Sequence, residues 1–203
     1  MSIRAVIGGR EVVREEVLGW EARRIDAAAR KLGVTVPAGE LAGRRAALLR
    51  VKLDLGAQEI ERRLPRDVRW ASRIGRATSR PRGRRRLSVC DLYVSAGSAA
   101  TFAAWFRGRT REDDQEAMLA ACPDHFVLRT GADGRQDVLE TTGGSPLASR
   151  FVVDYGDTST LQTEPDALFL EQIAGVALIA DGVPVGGVRH QFRDDGDGFH
   201  ARL

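Results

Sequence analysis

Glu171-Gln-Ile-Ala-Gly-Val-Ala-Leu-Ile-Ala180-Asp-Gly-Val-Pro-Val-Gly-Gly-Val-Arg-His190-Gln-Phe-Arg193 is the stretch on which the fold turns. Two largely apolar runs flank Asp181-Gly182, a dipeptide suited to the left-handed backbone of a tight hairpin turn. The expectation is an antiparallel hairpin of Glu171–Ala180 against Val183–Arg193. A two-residue turn pairs Ala180 with Val183, and stepping back along both strands sets Ile173 opposite His190 and Glu171 opposite Phe192. Gly186, Val188, His190 and Phe192 then share one face, and Arg189, Gln191 and Arg193 the other. His190 therefore points with the apolar set.

The same period of two recurs on both sides of this hairpin. His125 to Thr130, Asp137 to Thr142, Arg150 to Tyr155 and Phe199 to Leu203 read as strands, separated by Ala132-Asp133-Gly134, by Thr142 to Pro146 and by Asp195 to Gly198. Leu87 to Ser95 reads as a strand as well. Between it and the sheet, Ser98 N-caps a helix carrying Phe102, Trp105 and Phe106. Thr110 caps a second helix with Glu112, Asp113 and Asp114 in its first turn, where the helix dipole favours acid, and Ala117, Met118, Leu119 and Ala121 on its apolar face.

Further back the period becomes helical. After a short strand at Ser2 to Ile7, Leu18, Ala22, Ile25, Ala29 and Leu32 recur at steps of four and three up to Gly33. A second helix from Ala38 to Leu64 carries Leu41, Leu48, Leu49, Leu53, Leu55 and Ile60, and Pro65 stops it. The fold class is α+β: an N-terminal helical hairpin over residues 1–70, a basic linker over 71–86, and a pocket domain over 87–203. That last part is a curved antiparallel sheet packed on short helices, cone-like with a pocket. The two apolar stripes of the hairpin predict a homodimer, because together they offer more apolar surface than a monomer leaves in water.

Charge is divided along the 203 residues. Up to Ser88 there are 22 Lys+Arg against 10 Asp+Glu, and beyond it 9 against 18, so a net charge of +3 hides a dipolar chain. Only Lys31 and Lys52 are lysine; the other basic residues are arginine. The basic excess concentrates in Arg62 to Arg86, and within it Arg73 to Arg86, almost without core-forming residues, reads as a linker or exposed loop able to contact phosphates, although the region lacks interleaved aromatics apart from Trp70. Nucleic acid or another acidic partner is thus an alternative ligand. The 43% hydrophobic content excludes collagen-like, mucin-like and fully disordered chains. Ile173 to Ala180, the longest apolar run, is far short of the roughly 20 residues that span a bilayer. Met1-Ser2-Ile3-Arg4 meets charge too early for a secretory leader, so a cytoplasmic protein with no membrane partner is expected.

Several chemistries lack their residues. Cys90 and Cys122 are too few and too far apart for a zinc site or a redox pair. His125, His190 and His200 have no metal-ligand spacing, and Asp194, Asp195 and Asp197 lack the closing glutamate of a calcium loop. Gly8-Gly9 and Gly143-Gly144 do not complete a phosphate-binding loop, and no nucleophile elbow is present.

The segments Ala100-Thr-Phe-Ala-Ala-Trp-Phe106 and Asp113-Asp-Gln-Glu-Ala-Met-Leu-Ala-Ala-Cys-Pro-Asp-His-Phe-Val-Leu128, followed by long hairpins, resemble the NTF2-like superfamily and its SnoaL-like polyketide cyclase branch over residues 98–203. In that family an acidic helix ends in small residues and an Asp before the first strand, as Asp114 to Asp124 does here. The leading strand Leu87 to Ser95 suits instead a helix-grip domain of the Bet v 1-like or START-like kind. Either resemblance implies a sheet wrapped around a small apolar molecule, and cofactor-free cyclase, isomerase or hydratase chemistry where there is catalysis. In that reading His190 is the base, since an imidazole titrates near neutrality. Glu171, diagonal to it, orients the ring, and Tyr155, at the end of the apolar face Phe151–Val153–Tyr155, donates a hydrogen bond. Asp91, Tyr93, His125 and His200 are assigned to exposed positions.

Overall fold

A computed structural model describes residues 1–79, 86–111 and 113–203, and among them it shows five α-helices and one antiparallel sheet of nine strands. In chain order the elements are β1 (Ile3–Ile7), β2 (Arg10–Val12), α1 (Arg14–Leu32), α2 (Leu41–Arg63), α3 (Pro65–Thr78), β3 (Cys90–Val94), α4 (Ala99–Arg111), α5 (Gln115–Ala121), β4 (His125–Thr130), β5 (Gln136–Glu140), β6 (Ser149–Asp154), β7 (Glu171–Leu178), β8 (Pro184–Asp195) and β9 (Gly198–Arg202). The strand order is β2-β1-β3-β9-β8-β7-β6-β5-β4. β2 and β4 are its two free edges, so the sheet is open. Strands β4 to β9 form a meander, and β3 and then β1 add to its C-terminal edge, so both ends of the chain lie in one layer.

At the centre, Ile173 pairs with His190 and Glu171 with Phe192, the register expected from counting back from the Asp181-Gly182 turn. The turn, however, has three residues. Ile179 N–H donates to the Val183 carbonyl (3.0 Å) and Gly182 N–H to that of Ile179 (2.8 Å), with Gly182 at φ 76°. Leu178 consequently pairs with Pro184, one step out of the inner register, and the shift between Ala177 and Leu178 restores it. A second one-residue offset cancels the first, and the side chains keep their faces.

Both faces of the sheet are covered. Ile25, Ala28 and Leu32 of α1 and Leu48 and Ile60 of α2 meet Phe126, Val127, Leu139 and Ala148 at the β4–β5 end. Much of the two stripes expected to join two subunits is thus packed against the chain's own sheet, with Leu53 left exposed, which takes away most of the apolar surface on which the expected homodimer rests. On the other face Met118 and Leu119 of α5 meet Leu128, Val138 and Val153, while Ala99, Ala103 and Phe102 of α4 meet Ile173, Phe192 and Phe199. The Ser98 hydroxyl accepts from Thr101 N–H (3.2 Å) at the start of α4. Asp114, whose carboxylate accepts from Ala117 N–H (3.0 Å), caps α5 in place of Thr110, which lies inside α4. Glu112 lies outside the described residues.

The expected linker is corrected by α3. Pro65 opens this helix at a position that suits proline, and it continues to Thr78. Val68, Ala71, Ser72 and Gly75 turn inward. This small-residue face lets α3 lie across β6, fixed by Arg76 on Asp181 (2.6 Å). The remaining part of the expected linker, 80–85, lies outside the described residues.

One close approach makes the β3–β9 pairing testable. A Cβ on Gly198 would overlap the Val94 carbonyl and come within 2.8 Å of the Ala96 nitrogen, both backbone atoms that cannot swing away. Gly186 has open space around its Cβ position. Gly198→Ala is expected to destabilise the protein by more than about 2 kcal/mol, and Gly186→Ala to change it by less than about 0.5 kcal/mol. Urea midpoints measure both, and equal midpoints for the two variants would contradict this packing.

Candidate functional site

β8 and α4 bring His190 to the apolar face as its alternation requires. The imidazole lies between Val188 and Phe192 in sequence and meets the Phe106 ring edge-on at 5.7 Å. Its Nδ1 is buried and has no hydrogen-bond partner among the described residues. Burial pushes its pKa below the ordinary value, so the ring is neutral at physiological pH.

The two proposed helpers are engaged elsewhere. Glu171 accepts from Arg107 Nη2 of α4 (2.9 Å), and the same nitrogen donates to the Gln172 carbonyl (3.2 Å). The guanidinium, and not the imidazole, is therefore the partner of Glu171. Tyr155 donates its hydroxyl to Gln136 Oε1 (3.3 Å), and Gln136 in turn contacts Met118 sulfur (3.2 Å). Burial pushes the Tyr155 phenol up to about 12, so it stays a donor. His190 and Tyr155 share one apolar layer, and two pockets elsewhere in the molecule are lined by other residues. One, beside Lys52 between α1, α2 and α5, holds about 10 Å³, at the lower limit of roughly 10 to 15 Å³ for one water. The other is an open depression along α2.

The opposite face of β3, β9 and β8 carries a polar cluster that the strand pattern assigned to solvent. His200 is 2% exposed. Its Nε2 is 2.8 Å from Asp91 Oδ1, Arg193 Nε donates to its Nδ1 (3.4 Å), and its ring stacks on Tyr93 at 4.3 Å. Phe169, from the segment between β6 and β7, closes over it edge-on at 4.9 Å. Arg202 joins Asp91 (2.9 Å) to Asp166 of the same segment (3.2 Å). Burial opposes the Asp91 charge, but hydrogen bonds from Arg202 and His200 outweigh it and hold the carboxyl below its usual range. With both ring nitrogens committed, His200 is a structural group. His125 is also tethered, its Nδ1 2.7 Å from the Met118 carbonyl and its Nε2 3.5 Å from Glu140.

Lys52 is the second buried polar group missed by the strand-centred reading. It is 1% exposed, and its ammonium donates to the Cys122 carbonyl (3.3 Å) at the C-terminus of α5, where the helix dipole favours a cation. Beside it Arg24 holds Asp124 (2.7 Å) and Thr141 (3.0 Å), joining α1 to the start of β4 and the end of β5. Burial pulls the Lys52 pKa down to about 8, with Cys122 and Asp124 partly restoring it.

α3 supplies a different kind of surface. Arg66, Arg69, Trp70, Arg73 and Ile74 recur at helical spacing on its outer face, all exposed. Its one acid, Asp67, turns inward to Lys31 and to Ala148 N–H (3.0 Å). The outer face thus carries cations without carboxylates: Arg66, Arg69 and Arg73 make no ion pair among the described residues. The Arg73 guanidinium lies 5.3 Å from the centre of the Trp70 ring. Among the described residues, no helix is long and apolar enough to cross a membrane, and no group of three or more His, Cys, Asp or Glu is placed to hold a metal ion. Comparison with protein-family models, curated proteins and solved structures finds no match to this chain.

The Lys52 burial has a pH signature. Because its folded pKa lies below that of the unfolded chain, the unfolded state binds more protons between about pH 8 and 10.5, and this group adds stability as pH rises through that window. Replacing Lys52 with Met is expected to remove a rise of up to about 3 kcal/mol across it. Denaturant titrations of both proteins at several pH values measure the difference, and parallel profiles would show that the amine is not desolvated.

Proposed function

We propose that this chain binds polyanions through the outer face of α3 and the arginines that follow it. The observation that carries this reading is the segregation of charge on one helix, with Asp67 inward and Arg66, Arg69 and Arg73 outward without carboxylate partners. Unpaired guanidinium groups on a rigid helix offer planar forks that match phosphate or sulfate oxygens. In the sequence that follows α3, five of the seven residues Arg80-Pro-Arg-Gly-Arg-Arg-Arg86 are arginine. Phosphate binding of this kind releases condensed counterions and weakens steeply with salt. Each of Arg69→Ala and Arg73→Ala is expected to lower the salt slope for a labelled oligonucleotide by about one unit, by removing one phosphate contact. Fluorescence anisotropy across a salt series measures it. Absence of binding at low salt, or an unchanged slope in the double variant, would refute the reading.

A second reading is favoured by His190. A buried imidazole nitrogen without a partner is costly, by roughly 1 to 3 kcal/mol, and a ligand polar atom would relieve it. This is the small apolar ligand that the NTF2-like or helix-grip resemblance implies, held in a cone-like sheet, with His190 as base and Tyr155 beside it. The Arg107 contact leaves Glu171 outside that chemistry unless the ion pair opens. On this reading His190→Ala abolishes binding of an apolar dye while oligonucleotide affinity is retained. Dye fluorescence unchanged by the variant would dismiss it.

A further inference from the structure

Trp70 is placed where charge alone does not require an aromatic ring. It is 56% exposed, and Ile74, one turn further along, is exposed beside it. The inner contacts of α3 are made by Val68, Ala71, Ser72 and Gly75, so the indole is not needed to seat the helix. Arg66, Arg69 and Arg73 stand four residues before, one before and three after Trp70, which puts cations on both sides of the ring along one helix face. Arg66 and Arg73 are separated by about 10.5 Å of helix rise, close to the span of three stacked nucleotides at about 3.4 Å each.

A polyphosphate or a sulfated sugar has no flat face for that ring, and a duplex hides the faces of its bases inside the stack. An unpaired base presents one, and stacking of bases on aromatic side chains between basic residues is how sequence-tolerant single-strand binding is built. An anionic bilayer suits the surface less well. A helix lying in the interface needs a wide apolar face, whereas the outer face of α3 interleaves Trp70 and Ile74 with three arginines and its other face is occupied by the sheet.

Resting on the polyanion reading, we infer that the ligand of α3 is nucleic acid with unpaired bases, and that Trp70 is the residue that stacks on them. The arginines hold the phosphates and the indole selects single strands. Trp70 is exposed and the helix is seated by other residues, so its replacement leaves the fold intact.

The test compares wild type, Trp70→Ala and Trp70→Phe against four probes: a labelled 20-nucleotide single strand, the same sequence as a duplex, a labelled polyphosphate, and phosphatidylserine-containing vesicles. Trp70→Ala is expected to weaken single-strand binding by about 5- to 100-fold, the range for loss of one base stack, with Trp70→Phe restoring most of it. Duplex and polyphosphate affinities stay within about twofold of wild type, since they use only the arginines. Equal losses on single strand, duplex and polyphosphate, or no loss on the single strand, overturn the inference while leaving polyanion binding in place. Vesicle binding that depends on Trp70, with no effect on the single strand, assigns the face to membranes and overturns it too. Wild type that binds none of the polyanions refutes the underlying reading instead.

Discussion

A strand offers two faces only, and the pairing of Ile173 with His190 assigns each side chain of the central sheet to one of them. Ile173 and Phe192 go to α4, and His190 follows them into the layer of Phe106. Arg189, Gln191 and Arg193 go to the other side, where they need partners. The segment between β6 and β7 supplies these: Thr163 accepts from Arg189 (3.1 Å), the Asp166 carbonyl from Gln191 (3.5 Å), and Phe169 lies against Arg193 and Arg202. A slip of one residue would place three polar side chains in the α4 interface and Phe192 under a polar loop. The offset at the turn and its reversal at Ala177 are therefore one device.

The same logic of filled faces explains why the outer surface of α3 stands apart. α1 and α2 bury Leu32 and Leu48 on the β4–β5 end, α4 and α5 bury Ala103 and Leu119 on the opposite face, and several acids of the helices are drawn into ion pairs, such as Asp26 with Arg44 and Glu59 with Arg63. What α3 turns outward is left with neither an apolar neighbour nor a carboxylate. A polyanion that docks on such a surface sheds its own condensed counterions at an entropic gain. The His190 face differs in kind. It is buried and apolar, and its unmet hydrogen-bonding capacity is a single nitrogen.

The sequence made the faces of the strands legible but not what covers them. Alternation from Val188 to Arg193 fixes the faces of β8, whereas the register against β7, counted from a two-residue turn, holds because the two offsets cancel. The turn dipeptide gave the wrong loop length, since Asp-Gly serves two- and three-residue hairpins alike. His200 alternates with Phe199 and Ala201, and that pattern separates the faces of β9 without revealing that Phe169 and Asp166 seal the polar one. Glu171 lands on the expected face, yet Arg107 from α4 takes it, a competition that strand pairing does not encode. α3 was hidden because its inward face is made of Ala71, Ser72 and Gly75, too small to register as an apolar stripe among so many arginines. Lys52 did leave a signal, at four residues from Leu48 on the buried stripe of α2 ahead of the break in helical backbone at Gly56 (φ 68°).

The central claim is that the outer face of α3 is the surface this chain offers to a partner. Hydrogen-exchange mass spectrometry with and without a saturating single-stranded oligonucleotide tests it directly, because α3 and the α4–β8 layer are read in the same experiment. The account predicts slowed exchange over Pro65–Thr78 with α4 and β8 unchanged. Slowed exchange across Ala99–Arg111 and Pro184–Asp195 with α3 unaffected would contradict it, and would move the binding surface to the layer around His190.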